Sequence, residues 1–283
     1  MFQLFLIEIL EENDTKIFVN DSGINECNAS FADASFADAN YNYIRQFDQL
    51  DFSNPLLDLA KKTSALAFIV GKDFGAMPAY LVAAVHPERV TGVITLGVPF
   101  ILPGTSAVQN HLLPEGFYIT RWQEPGRAEA DFGRFDVKTV IRNIYLLFSG
   151  SEVPVAAEGQ EIMDLYDPST PLPPWFSEED LSVYASLYEK SGFRFALRVP
   201  YRSLTVDCGI TDPKVKAPSL LIMGEKDYVL KFPGMEDYIR SGAVKQIVPD
   251  LEIKFMPEGS HFVHEQLPKQ VNELIITFLD KHI

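Results

Sequence analysis

Cysteine is scarce. Cys27 and Cys208 are the only two in 283 residues, too few for a disulfide framework and suited to a reducing compartment. Positive charge is scarce too. The 24 Lys and Arg stand against 39 Asp and Glu, a net charge of −15, which excludes nucleic acid and anionic membrane surfaces as partners. No window approaches the roughly 20 apolar residues of a membrane span. The apolar opening, MFQLFLIEIL, lacks a basic flank, and Glu8, Glu11 and Glu12 interrupt it, so it does not read as a signal peptide. The sequons at Asn20 and Asn28 therefore stand without a secretion signal, and a cytoplasmic location is expected. His261 and His264 are the only close histidine pair and no cysteine joins them, so neither a metal nor another cofactor is expected. No G-x-S-x-G occurs, which argues against an ordinary esterase or lipase.

What is present is apolar and patterned. The chain is 47% hydrophobic and 12% aromatic, enough for one large core or a core with a covering segment. Residues 65–90 carry the clearest local signal. An apolar run over 65–70 predicts a buried strand. Gly71-Lys72-Asp73-Phe74-Gly75 follows, then Met77, Tyr80, Leu81, Ala84 and Val85 at helical spacing, stopped by His86-Pro87. Strand, Gly-flanked turn and helix form the frame of a nucleophile elbow, with Asp73 where serine usually stands. Residues 90–96 (VTGVITL) predict a second buried strand, and strand–helix–strand implies a parallel α/β sheet.

Elsewhere the pattern is as follows. Residues 2–10 and 16–19 are strand-like. Residues 20–43 are of low complexity, with Ser30-Phe-Ala-Asp-Ala34 repeated by Ser35-Phe-Ala-Asp-Ala39, and read as loop or disorder. A short helix is expected from Leu56. Residues 101–216 are rich in Pro, Tyr and Phe and predict a helical lid inserted between sheet strands. Within it, Ser177-Glu-Glu-Asp180 opens a helix with Leu181, Tyr184, Leu187 and Tyr188 on one face, closed by Gly192. Residues 167–174 form a stiff, Pro-rich connector. Strands return at 218–223 and 251–255, and an amphipathic helix runs from Pro268, with Val271, Leu274, Ile275, Phe278 and Leu279 inward. The expected division is 1–55, an atypical and partly disordered N-terminal segment; 56–100, an α/β core with the elbow; 101–216, the lid; and 217–283, the rest of the core.

Asp227 follows one of the late strands and His261 the next. The order nucleophile, acid, histidine is that of the α/β-hydrolase fold, and all three stand at the carboxyl ends of strands. His86, His111, His264 and His282 read as satisfied surface histidines. A carboxylate nucleophile attacks an sp³ carbon and forms an alkyl ester, which His261, oriented by Asp227, hydrolyses through water. The substrates of such chemistry are electrophilic alkyl compounds, chiefly epoxides or alkyl halides.

From about Leu56 to Ile283 the chain resembles the soluble epoxide hydrolases of plants. The matching motifs are GKDFGA, the Tyr118-to-Gly126 segment (Y-x-x-x-W-Q-x-P-G), LYEKSGF with PYRS, GEKDYVL and PEGSHFV. The resemblance implies Asp73 as nucleophile, Asp227 and His261 as the pair that activates water, and Tyr118 and Tyr201 as lid tyrosines that hydrogen-bond and protonate the epoxide oxygen. Lys72 stands where many relatives have His. The implied substrate is a small lipophilic epoxide, the product a vicinal diol. Trp122 and Trp175 raise a haloalkane dehalogenase as the rival enzyme. A catalytically impaired homologue that only binds lipophilic ligands is the rival from another class.

The sequence departs from the family before the elbow. The family's His-Gly-x-Pro loop supplies an oxyanion donor and a carboxylate near the hydrolytic water. No His-Gly-x-Pro occurs here, and no histidine precedes His86. A truncated or rearranged N-terminus is therefore expected, with incomplete sheet strands. One consequence is that strand 65–70 becomes an edge, a template for aggregation or a homodimer, unless the strand-like residues 2–10 cover it. The other is mechanistic. With the Phe74 N–H as the remaining oxyanion donor, the chain is expected to alkylate more readily than it turns over, since one such donor is worth about 10²–10³ in rate.

Overall fold

The computed structural model describes residues 3–9, 15–16, 67–102, 112–203, 210 and 212–283. The low-complexity stretch, the helix expected from Leu56, both sequons, both cysteines and His111 lie outside the described residues.

Six strands form one sheet: β1 (Gln3–Ile9), β2 (Thr15–Lys16), β3 (Ala67–Lys72), β4 (Val90–Leu96), β5 (Ser219–Gly224) and β6 (Leu251–Met256), in the order β2-β1-β3-β4-β5-β6. β3 to β6 are mutually parallel. β1 runs antiparallel to β3, with Gln3 opposite Lys72 and Glu8 opposite Ala67. β3 is therefore not an edge, and the edge-strand argument for a homodimer has no footing there. β3 also lies two residues later than its apolar run suggests. Gly71 and Lys72 remain in the ladder because both have partners, Thr95 and Leu96, on β4.

β3, β4 and β5 are buried on both faces, whereas β6 is half-buried from Glu252 to Phe255; residues of the buried strands alternate between two cores at the strand period of two. Phe68, Val70, Ile94, Leu96, Leu220 and Ile222 face the C-terminal helix. Ile69, Val93, Leu221 and Met223 face the larger core. Each such side chain contributes about 1.5–3 kcal/mol by leaving water.

The described α-helices are α1 (Ala76–Val85), α2 (Tyr118–Gln123), α3 (Arg127–Phe132), α4 (Val137–Ser149), α5 (Glu178–Ser191), α6 (Arg194–Ser203), α7 (Met235–Arg240), α8 (Val263–Gln266) and α9 (Pro268–His282). α1 ends at His86 as its sequence indicates, but Val85 is exposed and the helix is buried from Ala76 to Tyr80. Five helices, α2 to α6, lie between β4 and β5. α5 starts at the Ser177–Asp180 capping box and ends at Gly192. Its inward stripe is Leu181, Tyr184, Ala185 and Tyr188, spaced i, i+3, i+4, i+7, so Leu187 points outward. On α9, Val271, Phe278 and Leu279 are buried, with Leu274 and Ile275 packed beside them. No described helix is long and apolar enough to cross a membrane.

Candidate active site

The turn after β3 is the most constrained backbone among the described residues. Asp73 has φ 55°, the one positive value outside glycine there. Such a conformation costs a non-glycine residue about 1–2 kcal/mol and persists only where the surroundings enforce it. The enforcing contact is Gly71. A Cβ at that position would lie 2.4 Å from the Gly75 carbonyl oxygen, so only glycine lets strand and helix pass this closely. The result presents Asp73 at the mouth of α1.

The loops after β5 and β6 supply the other two groups. Asp227 caps a short 3₁₀ turn and accepts the Val229 N–H at 2.9 Å. Its two oxygens lie 3.0 and 3.1 Å from His261 Nδ1. His261 Nε2 faces Asp73 Oδ1 at 3.4 Å. Both partners of the pair are 1% exposed, so the imidazole is fixed in tautomer and direction by a buried carboxylate. Gly97, at φ 80°, leaves the necessary space. A Cβ there would sit 3.2 Å from Asp227 Oδ2 and 3.3 Å from the His261 ring. Gln266 fixes the His261 loop from both sides, accepting the Ser260 N–H and donating to the Glu258 carbonyl, each at 2.8 Å.

The electrostatics of the elbow are set by opposing causes. Burial alone would push the Asp73 carboxyl up. The imidazole of His261 facing it, with the Lys72 ammonium beside it, outweighs that and brings Asp73 well below the usual carboxylate range. Lys72 is itself fully buried, and among the described residues its Nζ has no hydrogen-bond partner. It lies 5.0 Å from the centre of the Phe262 ring. Desolvation lowers its pKa, against the attraction of Asp73, Asp227 and Glu265.

A cavity opens in front of Asp73. Met77, Val98, Leu113 and Phe232 give it apolar walls, and the hydroxyl-bearing residues Tyr118 and Tyr228 line it as well. Tyr118 is thus among the residues that line the cavity. Tyr201 is buried with its ring edge-on to Phe74, Trp122 and Tyr118, at 5.3, 5.0 and 6.0 Å between centres, but it does not itself line the cavity. Phe74 is also among the lining residues. Neither Trp122 nor Trp175 does. Tyr228 is the cavity hydroxyl that sequence reasoning misses. It stands inside GEKDYVL next to the acid, and nothing in that spacing distinguishes it from a packing tyrosine.

One histidine departs from expectation. His264 is only partly exposed. Among the described residues its buried Nδ1 has no hydrogen-bond partner, and its Nε2 lies 3.4 Å from Glu265. It sits on the one-turn helix α8, directly behind His261, rather than on an open surface. Among the described residues no group of three His, Cys, Asp or Glu is arranged to hold a metal.

No family model matches the chain. Individual relatives do. Epoxide hydrolase 2 of Siraitia grosvenorii is 34% identical over 223 residues, which cover 76% of this chain and 70% of that protein. Epoxide hydrolase 1 of the same plant is 34% identical over 221 residues, covering 75% and 69%. Among solved structures, potato (Solanum tuberosum) epoxide hydrolase I superposes with a TM-score of 0.66 at 31% identity, over 76% of this chain and 69% of its own. At that identity and coverage, with the sheet and its strand-end residues in place, the chain belongs to the plant epoxide hydrolase family.

Proposed function

We propose that this chain opens a small lipophilic epoxide by attack of Asp73 Oδ on a ring carbon. The C–O bond breaks toward the epoxide oxygen, which takes a proton from a tyrosine hydroxyl, and the product is a hydroxyalkyl ester of Asp73. Tyr118 is the first proton donor in this reading. Tyr201, packed against Tyr118 and Phe74, is the second hydroxyl, brought to the cavity edge when substrate fills it. Water then loses a proton to His261 Nε2 and adds to the ester carbonyl, with the Phe74 N–H facing the developing oxyanion. Collapse expels the diol, which takes its proton back from the imidazolium. The proton released when the Asp73 carboxyl ionises again returns to the tyrosine. Epoxide plus water gives diol, and nothing else is consumed.

The observation that carries this reading is the alignment Asp73–His261–Asp227: a carboxylate forced to positive φ, 3.4 Å from an imidazole nitrogen whose other nitrogen a buried carboxylate holds. An ionised carboxylate there is a nucleophile, and an oriented neutral imidazole is the base that its ester requires. Residues 101–216 are read as a lid over a core made of 56–100 and 217–283. Tyr118 and the apolar cavity wall Leu113 belong to that lid, which supports a lipophilic substrate. The two-cysteine composition supports a cytoplasmic location for this activity.

A single turnover in heavy-oxygen water tests the ester. The expected result is label in the peptide containing Asp73 and none in the first diol released. Label in that diol instead would mean that water attacks the epoxide directly.

A further inference from the structure

The opening step leaves a phenolate where Tyr118 gave up its proton. That charge forms in an unfavourable place. Tyr118 is 2% exposed, and burial, together with the nearby Asp73 and Asp227 carboxylates, holds its hydroxyl well above the ordinary tyrosine value. A group that compensates this charge only as it forms would accelerate opening without tightening substrate binding.

Tyr228 is placed to do so. Its hydroxyl lies 3.4 Å from the Tyr118 hydroxyl, in a buried environment. Among the described residues Tyr118 is its hydrogen-bond partner. The ring is clamped: it packs on His261 at 4.8 Å, stacks on Phe148 at 5.3 Å with 25° between planes, and meets Phe232 at 6.0 Å. Its backbone is fixed by the Asp227 cap immediately before it. Tyr228 also lines the cavity beside Asp73 and Tyr118. The separation of 3.4 Å is long for two neutral hydroxyls, whereas a hydroxyl donating to a phenolate draws in to about 2.5–2.7 Å. The contact is thus weak before reaction and strong once charge develops, the differential that catalysis needs. Either hydroxyl can donate in the resting contact, but a Tyr118 phenolate has no O–H and can only accept, so Tyr228 is the donor once the charge forms.

We propose that Tyr228 is a positioning residue for epoxide opening, donating a hydrogen bond from its hydroxyl to the Tyr118 oxygen as Tyr118 passes its proton to the opening epoxide. This rests on the reading of Tyr118 as proton donor. In the step, the Tyr118 O–H bond breaks and the new O–H bond forms on the former epoxide oxygen. The Tyr228 O–H bond stays intact.

The test is a double-mutant cycle on the full chain, with stilbene oxide as probe, reading the rate of ester formation in single turnovers by intact mass. Tyr228→Phe keeps the ring and its stacking, and a thermal melt checks the fold. The expected result is a fall of about 10–100-fold in the alkylation rate, the size of one charge-assisted hydrogen bond, with the substrate dependence little changed. In a Tyr118→Phe background the same substitution is expected to change the rate by less than about twofold, because the charge it compensates is gone. An unchanged rate in the single variant of Tyr228, or multiplying effects in the double variant, would overturn the inference while leaving Tyr118 as donor. An unchanged rate in Tyr118→Phe alone would overturn the donor reading, and the inference with it.

Discussion

The carboxylate–imidazole half of the site and the tyrosine half are held by different physics. Asp73, Asp227 and His261 stand on loops directly after strands, and backbone geometry aims them: a forced positive φ, an Asx-type cap, and glycines where a Cβ would collide. Tyr118, Tyr201 and Tyr228 are aimed by rings. Tyr118 has aromatic neighbours at Phe117, Trp122, Phe148, Tyr201 and Tyr228, all within 6.4 Å between centres. Edge-to-face packing of this kind fixes ring planes, each pair contributing about 0.5–1.5 kcal/mol beyond burial. In the proposed reaction the first half sets which atoms react. The second sets where the leaving oxygen finds its proton, and packing changes there would reshape it without disturbing the first.

If that division holds, changes in the first half separate the two chemical steps cleanly. The largest effect is expected for Asp227→Asn. It leaves His261 in the wrong tautomer to accept a proton at Nε2, and diol turnover should fall about 10⁴-fold while ester formation on Asp73 continues. Rapid-quench mass measurement of the accumulated ester checks this; loss of ester formation to the same degree would show that the pair also serves the first step.

Gly97→Ala probes the same half through its backbone. The left-handed strain alone costs about 1–2 kcal/mol, and the added methyl presses on Asp227 and His261 at 3.2–3.3 Å. A fall in Tm of about 2–8 °C is expected, accompanied by slower ester hydrolysis, in a calorimetric scan read beside diol formation. Lys72→Met sharpens the contrast from the other direction. Among the described residues the buried ammonium has no hydrogen-bond partner, so an apolar side chain of similar length is expected to relieve its desolvation. A rise in Tm of a few degrees is expected; a fall would mean that the attraction of Asp73, Asp227 and Glu265 outweighs desolvation.

The pH dependence of the alkylation step should be the least eventful measurement. Asp73 is lowered below the ordinary carboxylate value and Tyr118 raised above the ordinary tyrosine value. Nucleophile and donor therefore both hold their working forms from about pH 5 to about pH 9, and the single-turnover rate should be flat across that range. The stability that Asp73 draws from His261 has the matching sign. It is present above the unfolded carboxylate value and is lost as pH falls through the lower folded one.

Much of the first half was legible in the sequence, because it is written in short-range signals. The Gly71–Gly75 turn, β4 at its observed bounds, the α5 capping box and the order Asp73, Asp227, His261 all follow from local residue chemistry. The tyrosine half was legible only where a motif flanked it. Tyr118 and Tyr201 came from family-like segments, and Tyr228 did not, because ring-on-ring packing across 110 positions leaves no trace in local spacing. The outward turn of Leu187 shows the same limit on a smaller scale: four apolar residues fit a helical face, and tertiary contact selects Ala185 over one of them. The pairing of β1 with β3 was half readable: residues 2–10 read as a strand that could cover 65–70, and nothing in their local pattern chose that pairing over an open edge.

The central proposal is that Asp73 is the nucleophile and that its ester forms faster than it is hydrolysed. Intact-protein mass spectrometry of the chain mixed with stilbene oxide, sampled over minutes beside diol formation, tests that most directly. The predicted result is a persistent mass increase equal to one substrate, absent in Asp73→Ala, with diol appearing more slowly than the adduct. Diol formation that survives Asp73→Ala would contradict it.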